Sequence, residues 1–247
     1  MLFVFGDSFG HDLKHFQSSN EMRKKNGLFP TFDPIEDNWV NLVAKNLTGT
    51  TEQINDSMAG CANEFIFHRF MSRMGEIKEN DYVIITLTSS DRRWLVERCP
   101  HLSNWAGSKI DSEPEGGLTK KEFGAVQQYA RYLHSEIASS AIYDAIYWAI
   151  VHAAQELEKM NVKLLILPGF LPLRGVVGTL TEACFAEFDS PETQETYYRK
   201  TNDIRWNHFS KENHEILADK VTKFFTDYET VDLTTGFKTG IYTKDNI

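Results

Sequence analysis

Residues 1–8 read Met1-Leu2-Phe3-Val4-Phe5-Gly6-Asp7-Ser8. Four consecutive apolar side chains, Leu2 to Phe5, are the pattern of a strand buried on both faces, as in a parallel sheet. Gly6 ends the run with a residue that permits a sharp turn. Asp7 and Ser8 then fall at the carboxyl end of a central strand, where open α/β sheets place their ligands. A serine at that edge, just ahead of a helix, has an exposed hydroxyl with backbone N–H groups nearby. Those are the two needs of a nucleophile: access and an oxyanion cradle. Gly, Asp and Ser are also the commonest turn formers, so the octet by itself spells a plain turn as well.

Working outward, the composition narrows the class. The chain has 247 residues, which suits one domain over 1–247 carrying large insertions. Hydrophobic residues make up 41% and aromatics 13%, enough for a core and too much for a disordered chain. With 26 basic residues against 35 acidic, the net charge is −9, a poor match to nucleic acid. The Arg23-Lys24-Lys25 run is short and reads as a solvated face. No apolar run approaches the roughly 18 residues of a membrane span, so no membrane is expected. The first strand starts at Leu2 without a charged and then apolar leader, which argues against a signal peptide. Three widely spaced cysteines, Cys61, Cys99 and Cys184, fit reduced thiols and a cytoplasmic setting. A protein assembled into a particle or released by lysis would carry the same signs.

Beyond the octet lies a polar stretch to about residue 32, broken by Gly27 and Pro30. His11 and His15 are four apart, but no third ligand follows at metal spacing, so they read as surface or rim residues. No metal or other cofactor is expected. Trp39, Leu42, Val43 and Leu47 repeat at helical spacing. A short strand over 51–55 leads into Asn55-Asp56-Ser57-Met58-Ala59-Gly60-Cys61-Ala62-Asn63-Glu64. There Asn63 is expected to cap a helix over 64–75, and Cys61 to be a small buried residue. Residues 81–88 are the clearest interior strand, β-branched and apolar. An irregular insertion over about 92–122 carries Trp94, Trp105 and the Gly116-Gly117 pair, as binding loops do. Residues 123–160 read as helix with a break near Ser139-Ser140, and Val162–Leu167 as a fourth strand. A second, acidic insertion over about 170–200 reads as a loop with short helices.

The last block, residues 203–217, reads Asp-Ile-Arg-Trp-Asn-His-Phe-Ser-Lys-Glu-Asn-His-Glu-Ile-Leu. Ser210 is a good N-cap, with Ile216, Leu217, Val221, Phe224 and Phe225 as the buried stripe of the final helix. His208 therefore lies just before a helix N-terminus, where the dipole disfavours added positive charge and keeps the imidazole neutral, as a general base must be. His214, inside the helix, reads as a packing or capping residue.

Gly6-Asp7-Ser8 after the first strand, together with Asn207-His208-Phe209-Ser210 before the last helix, resemble the SGNH (GDSL) hydrolase family. The likeness covers roughly 1–8, 54–64, 81–92 and 203–225. It implies a three-layer α/β/α sandwich with a flavodoxin-like parallel sheet of about five strands. It implies Ser8 as nucleophile, His208 as general base, and the N–H groups of Ser8 and Gly60 as an oxyanion hole. Two positions depart from the family. Its Gly-x-Asn-Asp block is Thr88-Ser89-Ser90-Asp91 here, so Ser90 stands where a carboxamide donor is expected; either Ser90 or Ser89 fills the role, or another group does, or the hole is weaker. The acid that normally precedes the histidine by three residues is Arg205. Either Asp203 or a backbone carbonyl then orients the ring.

The expected activity is that of a serine esterase acting on a small-molecule or carbohydrate ester. Trp94, Trp105 and Trp206 could stack on sugar rings, which points to carbohydrate O-deacetylation. The alternatives are a binding or structural module on the same scaffold, for which the departures at Ser90 and Arg205 speak, or acyl transfer to an acceptor other than water.

Overall fold

The computed structural model describes residues 1–11, 21, 33, 36–90, 92, 94, 119–133, 136–173, 175–184, 187–201, 209–238 and 241–245. In chain order the first elements are β1 (Leu2–Phe5), α1 (Trp39–Thr48), β2 (Ile54–Asn55), α2 (Asn63–Arg73) and β3 (Tyr82–Leu87). Then come α3 (Lys120–Leu133), α4 (Glu136–Lys159), β4 (Lys163–Pro168), β5 (Val176–Val177), α5 (Leu180–Cys184) and β6 (Glu187–Phe188). The last are α6 (Pro191–Thr201), α7 (Lys211–Asp227), β7 (Val231–Asp232) and β8 (Ile241–Tyr242). The protein is α/β, and its chain forms two compact units.

The first unit comprises Phe3–His11 and Ile54–Leu171. Among the described residues it holds a four-stranded parallel sheet in the order β2-β1-β3-β4, against the expected sheet of about five. Phe3 pairs with Ile54 and Val4 with Asn55, and the β3–β4 ladder runs from Tyr82 opposite Lys163 to Leu87 opposite Pro168. All of β1 is buried, as is β3 from Val83 onward, which is why both read as unbroken apolar runs. The chain steps from β1 to β2 on one side, then crosses to β3 on the other. The carboxyl ends of β1 and β3 therefore flank a topological switch point. Helix α2 packs on β3 and α4, and α4 packs on β4. Ser139 and Ser140 lie within α4, and the interruption comes earlier, between Leu133 and Glu136. Two serines in the opening turns of a helix cost little, so they did not break it.

The second unit comprises Met1–Leu2, Asp12–Gln53 and Pro172–Ile247. Its helices α1 and α7 pack together. Both begin on side-chain caps: Asn38 Oδ1 accepts from Val40 N at 2.9 Å, and Ser210 Oγ from Asn213 N at 3.2 Å. His214 is buried on α7, and its Nδ1 accepts from Trp39 N at 3.1 Å, at the first turn of α1. The expected packing role of His214 is thereby met. The unit also holds two short parallel pairs, β5 with β7 and β6 with β8. Two of these strands fall in the 170–200 stretch, where helices and loop alone were expected. A two-residue strand is too short to show periodicity. Among the described residues, no helix is long and apolar enough to cross a membrane.

Candidate functional site

The carboxyl edge of the sheet brings three of the expected site residues onto neighbouring strands: Ser8 follows β1, Gly60 follows β2 and Ser90 follows β3. Gly6 turns the chain out of β1 under a tight steric limit. A Cβ there would overlap Thr86 Oγ1 outright and lie 3.0 Å from Thr86 Cβ and 3.2 Å from the Thr86 carbonyl oxygen. Thr86 is fully buried on β3, so only glycine lets the two strand ends meet at this spacing. The turn closes with Gly10 N donating to Asp7 O at 3.2 Å. Ser8, at its tip, is partly exposed between buried neighbours.

Asp7 is the anchor of that turn and has no exposed surface. Its Oδ1 accepts from Phe9 N at 3.0 Å. Its Oδ2 accepts from Thr88 Oγ1 at 2.7 Å and from an Arg92 Nη at 3.0 Å. Burial pushes the Asp7 carboxyl above the usual carboxylate range, while the Arg92 charge and these hydrogen bonds pull against it. The Arg92 guanidinium lies 5.5 Å above the Phe170 ring, and Phe170 meets Phe9 edge-on at 5.7 Å. The loop after β4 thus closes the side of the Ser8 turn.

The loop after β2 is held from both flanks. Asp56 N donates to Val4 O and Met58 N to Gly6 O, each at 2.9 Å, so the loop continues the β1 ladder. Asp56 is bridged to Arg69 at 2.9 Å and Arg73 at 2.8 Å on α2. Burial works to raise its carboxyl, but the two arginines outweigh burial and hold it below its ordinary value. Gly60 sits at φ 74°, a left-handed conformation that glycine adopts without a Cβ penalty. Cys61 is buried as expected, with its Sγ 3.4 Å from Gly6 O. Burial, and then the Asp7 charge, push its thiol up, which leaves it protonated and unsuited to nucleophilic work.

Asn63 departs from its expected role. The cap of α2 is Ala62, without a side-chain hydrogen bond, and Asn63 is the first helical residue. Its carboxamide instead clamps the end of β3: Oδ1 accepts from Thr88 N at 2.9 Å and Nδ2 donates to Thr88 O at 3.1 Å. Satisfying the buried Thr88 backbone outweighs capping a helix end. Trp94 meets Phe65 edge-on at 5.5 Å and lies 5.0 Å from the His68 ring, against α2. Sequence reasoning missed three members of this arrangement. Asp7 and Thr88 read as turn and strand residues, and Arg92 as the start of an insertion. The one available signal was a charged residue directly after a buried strand.

His208, Asp203, Arg205 and Trp206 lie outside the described residues, as do Asp91, Trp105, His15 and the Arg23-Lys24-Lys25 run. The described boundary of the last block is Phe209, which is buried, followed by the Ser210 cap. No protein-family model matches the chain, and no curated protein matches it at a significant level.

Proposed function

We propose that the chain is a serine esterase of the SGNH type, with Ser8 as nucleophile. The observation that carries this reading is the partly exposed Ser8 at the switch point of a parallel sheet, on a turn fixed by the fully buried Asp7. The strand order β2-β1-β3-β4 also agrees with the first four strands of the flavodoxin-like order, which supports the three-layer sandwich. In the proposed reaction His208 takes the proton from Ser8 Oγ as the oxygen bonds to the ester carbonyl carbon. The N–H groups of Ser8 and Gly60, with the Ser90 hydroxyl, hold the resulting oxyanion. Collapse expels the alcohol, which leaves with the proton from His208. Water, deprotonated by His208, then attacks the acyl-enzyme and releases the acid. Asp203 orients the imidazole and stabilises its charged form. The substrate class is a carboxylic ester, with acetylated carbohydrate as the first candidate and Trp94 and Trp206 as contacts.

A fluorophosphonate probe followed by mass spectrometry tests the reading. Labelling confined to Ser8, and loss of about 10³-fold or more in ester hydrolysis in Ser8→Ala, support it. A folded, unlabelled and inert protein supports the binding module instead.

A further inference from the structure

We propose that Thr88 is a positioning residue that registers the Ser8 turn against the segments assigned to the oxyanion. The proposal rests on the esterase reading above and adds a residue to the same site. Its role is indirect, through Asp7 and through the chain on either side of it. Ser8 is the middle residue of a turn closed across it by its neighbours: Asp7 Oδ1 accepts from Phe9 N at 3.0 Å. The other oxygen of that carboxylate accepts from Thr88 Oγ1 at 2.7 Å. One planar, buried carboxylate therefore ties the residues on both sides of Ser8 to the end of β3.

Thr88 is itself held from several directions. Asn63 grips both of its backbone polar groups, with Oδ1 accepting from Thr88 N at 2.9 Å and Nδ2 donating to Thr88 O at 3.1 Å. The same Nδ2 reaches Ser89 O at 3.5 Å. The end of β4 packs on this peptide as well. A Cβ on Gly169 would overlap Leu87 O outright and lie 3.5 Å from Thr88 Cα. Both Thr88 and Asn63 are buried, and a β-branched side chain is stiff at χ1. Arg92 also donates to Asp7 Oδ2, at 3.0 Å. A long side chain can follow a carboxylate that moves; a threonine hydroxyl on a clamped backbone cannot.

These hydrogen bonds join the three arms of the proposed site at one buried hub. Ser8 follows Asp7, Ser89 and Ser90 follow Thr88, and Gly60 lies three residues before Asn63. Oxyanion donors act by being fixed before charge develops on the substrate. Loss of the Thr88 hydroxyl frees the Ser8 turn from β3 and leaves the donors in place. A misplacement on the order of 1 Å between reacting groups costs about 10²-fold.

The test measures kcat, KM, melting temperature and fluorophosphonate labelling rate, with p-nitrophenyl acetate as substrate and well below each melting temperature. The proteins are the wild type, Thr88→Val, Thr88→Ser and Thr88→Cys. Thr88→Val keeps the side-chain shape and removes the donor. Its kcat should fall by about 10²-fold with KM within about threefold, and Ser8 labelling should slow in parallel. Thr88→Ser keeps the donor and should recover at least about tenfold of that loss. Thr88→Cys carries a weaker donor and should fall between the two. A folded Thr88→Val enzyme within about threefold of wild type in kcat, or a Thr88→Ser enzyme no faster than Thr88→Val, overturns the proposal and leaves the esterase standing. If Thr88→Val does not fold, Thr88→Cys decides: a kcat at least about threefold below Thr88→Ser supports the proposal, and a smaller gap overturns it. A wild type that is folded, inert and unlabelled overturns both readings.

Discussion

Gly6→Ala isolates the steric condition on which the Ser8 turn depends. The new methyl would overlap Thr86 Oγ1 and press on Thr86 Cβ at 3.0 Å and on its carbonyl oxygen at 3.2 Å. Rotating Thr86 about χ1 relieves the first contact but neither of the others. Either β1 or β3 must therefore shift within a close-packed sheet. Overpacking of this kind costs about 1–3 kcal/mol, and the buried Thr86 backbone puts this case near 3. For a chain of this length that is a fall in Tm of about 6–12 °C, at about 2–4 °C per kcal/mol. Thr86→Ala supplies the control. The Thr86 hydroxyl is buried and has no hydrogen-bond partner among the described residues. Its loss alone should cost only about 1 kcal/mol of packing. In the double variant the worst contact is gone, so the two changes should offset each other by about 1–2 kcal/mol. Urea and thermal denaturation of the four proteins read the cycle directly. A Gly6→Ala protein melting within about 1 °C of wild type would refute the steric argument. So would a double variant in which the two costs simply add.

Other consequences are open to the same scale of experiment. Asn63→Ala removes both partners of the Thr88 backbone and should destabilise by roughly 2–4 kcal/mol in chemical denaturation. Asp56 is held below its ordinary value, so its contribution is present above the unfolded carboxylate pKa of about 3.9 and lost as pH falls through the folded one. Asp56→Asn should therefore be less stable than wild type at pH 7, and the gap should close below about pH 4. His208→Ala should abolish activity and the acid limb of kcat/KM near pH 6–7. His214→Ala should keep both and lose about 1–3 kcal/mol of stability by removing the buried acceptor of the Trp39 N hydrogen bond. Asp203→Asn should lower kcat by roughly 10²–10⁴-fold if its carboxylate orients His208, and by under about tenfold if a carbonyl does.

What could be read from sequence was what depends on neighbours in sequence. Leu2–Phe5 and Tyr82–Leu87 announced themselves because a strand buried on both faces leaves no room for polar alternation. Ser210 was legible because capping is settled within three residues. Asn63 misled for the same reason. A polar residue ahead of an apolar helix spells a cap, but its carboxamide is taken by Thr88, 25 positions away. Asp7 was read for its turn chemistry, while its burial is set by partners at Thr88 and Arg92 on the far side of β3. The paired strands β5 to β8 were invisible because each is two residues long and finds its partner far along the chain.

The Asp7–Arg92 pair is hard to explain as a stabilising device. Removing a carboxylate fully from water costs several kcal/mol, and a buried bridge often returns no more than it spends. The raised Asp7 carboxyl carries that cost in its direction: ionising it in place is harder than in water. What the pair does provide is a fixed geometry. Phe9 N, Thr88 Oγ1 and Arg92 approach the same carboxylate from the turn itself, from the end of β3 and from the segment beyond it. Three donors from three segments restrict where the residues on either side of Asp7 can lie, and one of those residues is Ser8. A network of this kind trades stability for orientation, as binding and catalytic sites do when reacting groups must be held before the substrate arrives.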